Sequence, residues 1–502
     1  MSSLLPVLLA LPLLGSLLLV CLRGPTGDRL APRIGALVTA LTLLAAVAVL
    51  AAFDYRTPAR PQLVLDLGWA GGLGLRLHLG VDGISLPLLV LTALLTCLCA
   101  FYSLRVPPHG PSPRAFFALL LLLEVGMLGT FVALDLVLFF VFFEIVLIPM
   151  YFLIGNWGGE GRAAAATKFI LYTLLGSAVM LLGFLLIYAY TGTLDMTELA
   201  ARHGSGMSAG VQALAFGAIA AGFAVKTPMW PLHTWLPDAH TAAPTVGSVL
   251  LAGVLLKMGT YGFVRIALPV LPAAAHTYAP YLGAFAVVGI IYGSLACLAQ
   301  RDLKRLIAYS SVGHMGFVLL GIATLTPTGV NGALFANVAH GLITGLLFFL
   351  VGGIKDRHQT ASLPELGGGL YQRAPRYAAV LAFAAIASLG LPGLAGFWGE
   401  LLALFGTTTP AAGLDRPTFL AYLVVAGIGT VLTAAYLLTM VRRVCMGTSA
   451  PRWLDGTGAR DLTRVELTAW TPLVALIVVT GLWPVLLLGL TNPAVHALLG
   501  GS

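Results

Sequence analysis

Apolar runs long enough to cross a bilayer recur along the whole chain, each closed by a short polar or basic stretch. A helix needs about 20 such residues to span the hydrocarbon core. The pattern predicts spans at 3–22, 33–53, 81–104, 115–132, 135–154, 167–190, 209–227, 245–268, 279–299, 304–324, 331–352, 377–409, 417–441 and 466–490. These are 14 transmembrane helices, and two of them are interrupted. In GFAVKTPMWPLHTWLPDAH, Pro228, Pro231 and Pro237 follow Lys226. Proline removes a backbone donor and clashes one turn back. In ASLGLPGLAGFWGELL, Pro392, Gly393 and Gly396 break the pattern before Glu400. Broken helix at membrane depth is tolerated only where protein buries it or a wet cavity lies beside it. The breaks fall in spans 7 and 12, five apart. Paired interruptions in two halves of a chain point to an inverted repeat. The expected fold is therefore an all-α polytopic membrane protein with two inverted five-helix repeats, helices 4–8 and 9–13. Its parts are 1–114 (spans 1–3), 115–268 (first repeat), 279–441 (second repeat) and 466–490 (span 14).

Composition agrees with one membrane domain. The 502 residues are 59% hydrophobic and 9% charged, against roughly 25% charged in soluble domains. The net charge of +8 comes from basic residues scattered singly between apolar runs, which is not the footprint of a nucleic-acid binder. Cys21, Cys97, Cys99, Cys297 and Cys445 fit no metal or iron–sulfur spacing and read as small apolar residues. The segment 54–80 alternates, with glycines in DLGWAGGLGLRLHLG, and predicts a short hairpin against the outer surface. Residues 1–22 have the apolarity of a signal peptide but no positive start, which favours a retained first span. Alternate loops collect 19 basic residues on one side and 6 on the other, Lys226 and Lys257 being left at depth. By the positive-inside rule both termini lie outside. The expected location is the cell's inner or plasma membrane, crossed many times, with both termini periplasmic.

Few ionisable residues stand inside the spans. Glu144 is in span 5, Lys226 at the break in span 7, Lys257 in span 8, His314 in span 10, His340 in span 11 and Glu400 after the break in span 12. A lysine at bilayer depth costs about 3 kcal/mol on insertion scales. One such group per span, at similar depth, is how a row of proton carriers across a bundle would read. Burial disfavours a charge and an opposite neighbour restores it. At ~6 Å and an effective dielectric near 20, a Glu–Lys pair is worth roughly 2.8 kcal/mol. That is about what one charge gains across ~120 mV, so moving Glu144 toward or away from Lys226 has the right magnitude to gate a pump step. Structural alternatives stand beside this: a static Glu144–Lys226 ion pair, and core histidines at 314 and 340 with serine or asparagine partners. A two-histidine metal site lacks a third ligand pattern. His233, Asp238 and His240 read as the lining of the inner mouth or as solvated loop. Asp135 reads as a helix N-cap, and Asp302, beside Arg301, Lys304 and Arg305, as surface charge.

KTPMWPLHTWLPDAHTAAPTVGSVLLAGVLLKMGTYG, QRDLKRLIAYSSVGHMGF and GLPGLAGFWGE resemble the antiporter-like subunits of respiratory complex I (NADH:quinone oxidoreductase), with relatives in Mrp-type cation/proton antiporters and membrane hydrogenases. The resemblance covers roughly residues 115–440. It implies 14 helices, two inverted five-helix repeats and broken helices 7 and 12. In that family the charged residue after the span-12 break is usually lysine, and in the M-type branch (NADH dehydrogenase subunit 4) it is glutamate, as Glu400 is here. The L-type subunit carries a long C-terminal amphipathic helix, and this chain ends about a dozen residues after its last expected span. Both features resemble the M-type branch. The resemblance implies a proton-translocating subunit with Glu144 and Lys226 as a gating pair, Lys257 and the histidines as a central relay and Glu400 on the exit side. It implies no cofactor and no metal in this chain. NADH, flavin, iron–sulfur clusters and quinone are expected in partner subunits, and the neighbours are L-type and N-type antiporter-like subunits in the lipid bilayer, with no nucleic acid. The rival readings are a subunit of a Mrp-type antiporter or membrane hydrogenase, and a structural scaffold whose buried charges hold neighbours together.

Overall fold

A computed structural model describes residues 3–22, 24–70, 75–107, 109–448 and 461–500. Thirteen helices among them are long and apolar enough to cross a membrane, and the pair Pro375–Ser388 and Ala395–Gly406 supplies the interrupted span 12. Spans 1–3 are Leu4–Cys21, Gly24–Ala52 and Ser85–Ser103. Spans 4–8 are Pro113–Val132, Leu136–Trp157, Arg162–Thr191, Ala209–Lys226 with its continuation Trp235–Ala242, and Thr245–Val270. Spans 9–11 are Pro272–Ala299, Leu303–Ala323 and Pro327–His358; span 13 is Arg416–Cys445 and span 14 is Arg464–Leu482. Span 14 is shorter than expected. It stops before Pro484, and a separate helix, Val485–Leu498, follows and packs on span 11.

Spans 8 and 11 form the centre, each 94% buried over its most apolar window. Spans 1, 2, 6, 13 and 14 form a rim with many exposed leucines and valines. Glycines let the central helices close up. A Cβ on Gly259 would stand 2.4 Å from Thr227 Oγ1, and one on Gly262 would stand 2.3 Å from the Phe223 ring. Spans 7 and 8 thus meet backbone to side chain with no room for a methyl group.

The two five-helix sets carry the same tie. In the first, Asp135 caps span 5 by accepting from the Val137 and Leu138 amides. Its backbone forms an antiparallel bridge with Asp195, which caps the short helix Met196–Arg202 after span 6. In the second, Asp302 caps span 10 by accepting from the Arg305 amide, and its backbone bridges Ser362, at the head of the short helix Leu363–Leu366 after span 11. Five spans is an odd number, so these matching ties fall at opposite ends of the bundle, which is what an inverted repeat requires. Asp302 is therefore a helix cap as well as a surface charge, and Asp135 is a cap as expected.

Strands β1 (Gln62–Ala70) and β2 (Leu75–Val81) pair antiparallel as the expected hairpin, its tip at 71–74 lying outside the described residues. The Leu134 amide donates to His78 O at 2.9 Å, and His78 Nδ1 meets Asp195 Oδ2 at 2.7 Å. The hairpin is thereby stapled to the heads of span 5 and of the helix after span 6. Burial pushes the Asp195 carboxyl up, but hydrogen bonds from His78, Thr197 and the Glu198 amide outweigh it and hold Asp195 well below the usual carboxylate range.

Two residues counted above as loop charges are inside. Lys304 is 1% exposed. Arg265 has a side chain only 12% exposed and is ion-paired with Asp82. Moving one residue from each side leaves the basic bias where it was. Arg23, Arg452 and Arg460 of that count lie outside the described residues. The other oxygen of Asp82 accepts from the Ile84 and Ser85 amides, both at 3.0 Å, so this carboxylate joins the head of span 3 to the end of span 8. Arg265→Met leaves it buried and unpaired, a loss of about 3–5 kcal/mol. The expected result is a clearly lower unfolding temperature for the purified protein, partly recovered in the Asp82→Asn/Arg265→Met double variant. An unchanged temperature in the single variant would show that the pair does not hold these helix ends.

Candidate functional site

The broken helix of span 7 needs its freed carbonyls met from elsewhere, since Pro228 and Pro231 cannot donate. The Trp235 indole donates to Val225 O at 3.0 Å, and the Met229 amide donates to Ala224 O at 2.9 Å. Lys226, the last residue before the break, is 1% exposed. Its ammonium lies 4.6 Å from the centre of the Phe143 ring, and Nζ has no hydrogen-bond partner.

Glu144 faces this lysine from a second interruption. Pro149 has no amide to offer the Ile145 carbonyl one turn back, and span 5 divides at Val146 into Leu136–Ile145 and Leu147–Trp157. Glu144 therefore occupies the last turn of a half-helix. It sits beside Ser177 and within range of the Lys226 charge, but its Oε1 is buried without a partner, and no ion pair joins it to Lys226 among the described residues. The expected pair is thus a near pair, not a contact. The sequence reading missed the division at Val146, for which Pro149 was the available signal.

Span 8 does not break. It carries two wide turns, π-helical at Leu251–Leu255 and Phe263–Ala267, with Lys257 in the α-helical turns between them. Such turns leave carbonyls underused and recur at functional sites. Lys257 is fully buried. Its ammonium donates to Ala252 O, in the first wide turn, and to His340 Nδ1 at 2.6 Å. One turn further on, Thr260 Oγ1 donates to Asn337 Oδ1 at 2.9 Å, tying the same two spans. Lys257 has no partner near it in sequence; its partner arrives from 83 residues away.

From His340 the polar line continues. The His340 and His314 rings stand edge to face with centroids 5.6 Å apart. His314 Nδ1 meets Glu400 Oε1 at 3.1 Å, and His314 Nε2 meets Ser388 Oγ at 3.0 Å. Ser388 ends the first half of span 12 and Glu400 lies in the second, so the break spreads the two partners around one imidazole. Gly390, at φ +74°, permits the turn. A Cβ there would stand 3.0 Å from Glu400 Oε2. A cavity of about 20 Å³ lies against both histidines, Thr344, Ser388 and Glu400, room for about one water molecule. If Lys257 donates to Nδ1, the ring hydrogen of His340 is on Nε2, which is buried and has no protein partner. The geometry can therefore pass a proton from an ammonium to an imidazole, across one water, to a second imidazole and a carboxylate.

The mouth residues divide. His233 and His240 are buried, against Tyr292 and Phe348, and only Asp238 is partly solvated, held by Lys168 at 2.7 Å and Arg305 at 3.3 Å. The solvated-loop alternative thus fails for both histidines. Glu124, absent from the sequence reading, is fully buried in span 4 with both carboxylate oxygens unpartnered. The lone acid in LLLLLEVG was its signal. Among the described residues no group of three or more potential ligands could hold a metal ion.

A model of the family described as NADH:quinone oxidoreductase/Mrp antiporter, TM matches residues 133–447. A curated relative, NADH-quinone oxidoreductase subunit M of Rhodobacter capsulatus, is 42% identical over 99% of this chain and 96% of its own. Subunit M of Rickettsia bellii is 39% identical over 93% of this chain and 91% of its own. Among solved structures, a chain of respiratory complex I from Thermus thermophilus superposes with a TM-score of 0.86 at 31% identity, covering 99% of this chain and 100% of that one. A chain of the Mrp complex from Dietzia sp. superposes equally well at 23% identity over 99% and 97%, which shows the shared fold. The chain belongs to the NADH:quinone oxidoreductase/Mrp antiporter transmembrane family, within its subunit M branch.

Proposed function

We propose that this chain is the proton-translocating M subunit of an NADH:quinone oxidoreductase, moving protons through its own buried side chains while electron transfer proceeds in partner subunits. NADH, flavin, iron–sulfur clusters and quinone belong to those partners, and L-type and N-type antiporter-like subunits are its neighbours in the inner or plasma membrane. The observation that carries the reading is the joined series Lys257–His340–His314–Glu400, drawn from four different spans. A lysine in direct hydrogen bond to an imidazole hands a proton over by shifting one hydrogen. The transfer leaves the hydrogen of His340 on Nδ1, so the line is reset for the next proton only when that imidazole turns over, together with a water in the small cavity.

Glu144 and Lys226 form the gate. Their separation leaves the lysine over a ring and the carboxylate beside a serine. A cation over an aromatic face gains ~2 kcal/mol when desolvated, comparable to the roughly 2.8 kcal/mol of a Glu–Lys pair at ~6 Å. Neither arrangement dominates, as a switch needs. The repeats 115–268 and 279–441 each contribute a broken helix to the path, with 1–114 and 466–490 packed around them. The hairpin and both termini lie on the outer, periplasmic side. A Mrp-type antiporter subunit is disfavoured because lysine would be expected in place of Glu400. A scaffold leaves unexplained why the central groups contact one another in series and not as isolated pairs.

Lys226→Ala in membranes should leave the complex assembled while both proton pumping and NADH-driven quinone reduction fall sharply. If both rates hold, the proton-path assignment is wrong. The scaffold reading predicts instead that Glu144→Gln and Lys226→Ala impair assembly with normal pumping per assembled complex. Glu400→Gln should likewise slow pumping, with Glu400→Asp intermediate. Orientation is checked separately by cysteines placed at Ser3 and at Leu499: both should react with a membrane-impermeant maleimide from the periplasmic side, and labelling only from the cytoplasm would reverse the topology.

A further inference from the structure

The half-helix Trp235–Ala242 ends at Ala243, two residues before span 8 begins, and its last carbonyls have no continuing helix to meet them. All four are satisfied from outside. His240 O accepts from Ser248 Oγ at 3.2 Å, Thr241 O from Lys355 Nζ at 3.1 Å, Ala242 O from the Gly159 amide at 2.7 Å, and Ala243 O from Lys304 Nζ at 2.7 Å. Two of the donors are ammonium groups, at the helix end where the backbone dipole is negative. Both come from the other five-helix set, Lys304 from span 10 and Lys355 from span 11. Arg305, next to Lys304, reaches Asp238 in the first turn of the same half-helix at 3.3 Å.

We infer that Lys304 and Lys355 clamp the half-helix of the first repeat onto the second, and that Lys304 is a positioning residue for the proton path. The inference rests on the function proposed above. The half-helix sets two things. Its Trp235 holds the Val225 carbonyl beside Lys226. Its His240 stacks on Phe348 with ring centroids 4.4 Å apart, within range of the charges of both Lys304 and Lys257. Releasing the clamp therefore shifts the gate and the head of the relay together.

Lys304 has no carboxylate within salt-bridge distance among the described residues, so its charge is spent on the helix end. It lines a cavity of about 450 Å³ that reaches the surface between the loops after spans 3, 5 and 7. Facing it are Lys355 and Asp356 from span 11, His240 from the half-helix and Asp302 from its own helix head, with Arg105, His109 and Arg162 across the cavity. Its proton can exchange with water there, and an ammonium that loses its proton keeps only neutral N–H donors for Ala243 O, without the charge that strengthens the bond and answers the helix-end dipole.

The test compares wild-type complex with Lys304→Arg and Lys304→Met, reading NADH:quinone activity from pH 7 to 10 in assembled complex. Arginine stays charged across that range. The clamp predicts that the arginine variant is active at pH 7 and keeps about twofold or more of the wild-type relative activity on the alkaline limb, while the methionine variant is slowed several-fold. If Lys304 instead carries protons itself, the arginine variant is inactive, because guanidinium does not release its proton, and the clamp is overturned. Wild-type activity in Lys304→Met, or superimposable alkaline limbs for lysine and arginine, overturns it as well. Should the methionine variant assemble poorly, hydrogen exchange over residues 235–243 in Lys355→Met supplies the same information: faster exchange is expected, and unchanged protection would remove the clamp. Normal pumping in Lys226→Ala would sink the proposed function and leave this exchange result unaffected.

Discussion

A charged or polar group at bilayer depth costs free energy unless something polar meets it. This constraint organises the molecule. Lysine 257 is met by a carbonyl in a wide helical turn and by an imidazole from span 11. Two carbonyls at the span-7 break, Val225 O and Ala224 O, are met by the Trp235 indole and by the Met229 amide. Those at the end of its continuation are met by two lysines, a serine and a glycine amide. At the span-7 break and at the end of its continuation, the interruption frees carbonyls and named side chains or amides take them up. The polar interior follows from the interruptions.

The two repeats use this differently. In the first, both members of the proposed gate sit at helix ends: Glu144 before the division of span 5 and Lys226 before the break in span 7. Neither has a strong partner, and each stands just before a backbone interruption. In the second, His314 is held on both nitrogens by groups from the two halves of span 12. Glu144 and Lys226 are thus underbonded, whereas Lys257 of the same repeat and His314 of the other are bonded. That contrast suits the proposed gate and the proposed relay.

The fold was largely legible because membrane spans are long, apolar and punctuated by proline. The breaks in spans 7 and 12, the hairpin and the cap at Asp135 were all readable from local chemistry. What was not legible lies across sequence distance. Nothing near Lys257 announces His340, and nothing near His314 announces Glu400, because each pairing is made by packing of helices more than 80 residues apart. Lys304 misled for a related reason. A lysine among Arg301, Asp302 and Arg305 has the local pattern of a loop, but its position two residues past a helix cap turns it inward onto Ala243. Arg265 misled in the same way, since Asp82 comes from far along the chain. The second wide turn of span 8 had a signal that was passed over, Pro269, which has no amide to offer Arg265 O.

The placement of Lys257 between two wide turns bears on why one lysine stands in an intact span and the other at a break. An ammonium in a regular helix finds every nearby carbonyl already engaged by an amide four residues on. A wide turn loosens that engagement locally, so Ala252 O can take a donor without the helix parting. Span 8 thus remains one rod through the bundle centre, 94% buried, and can hold its lysine at a fixed distance from His340. A break at the same place would have provided acceptors too, but with two separate half-helices. Lys226 has that second arrangement. Constant contact suits the proposed relay and changing contact the proposed gate, and the backbone around each lysine differs accordingly.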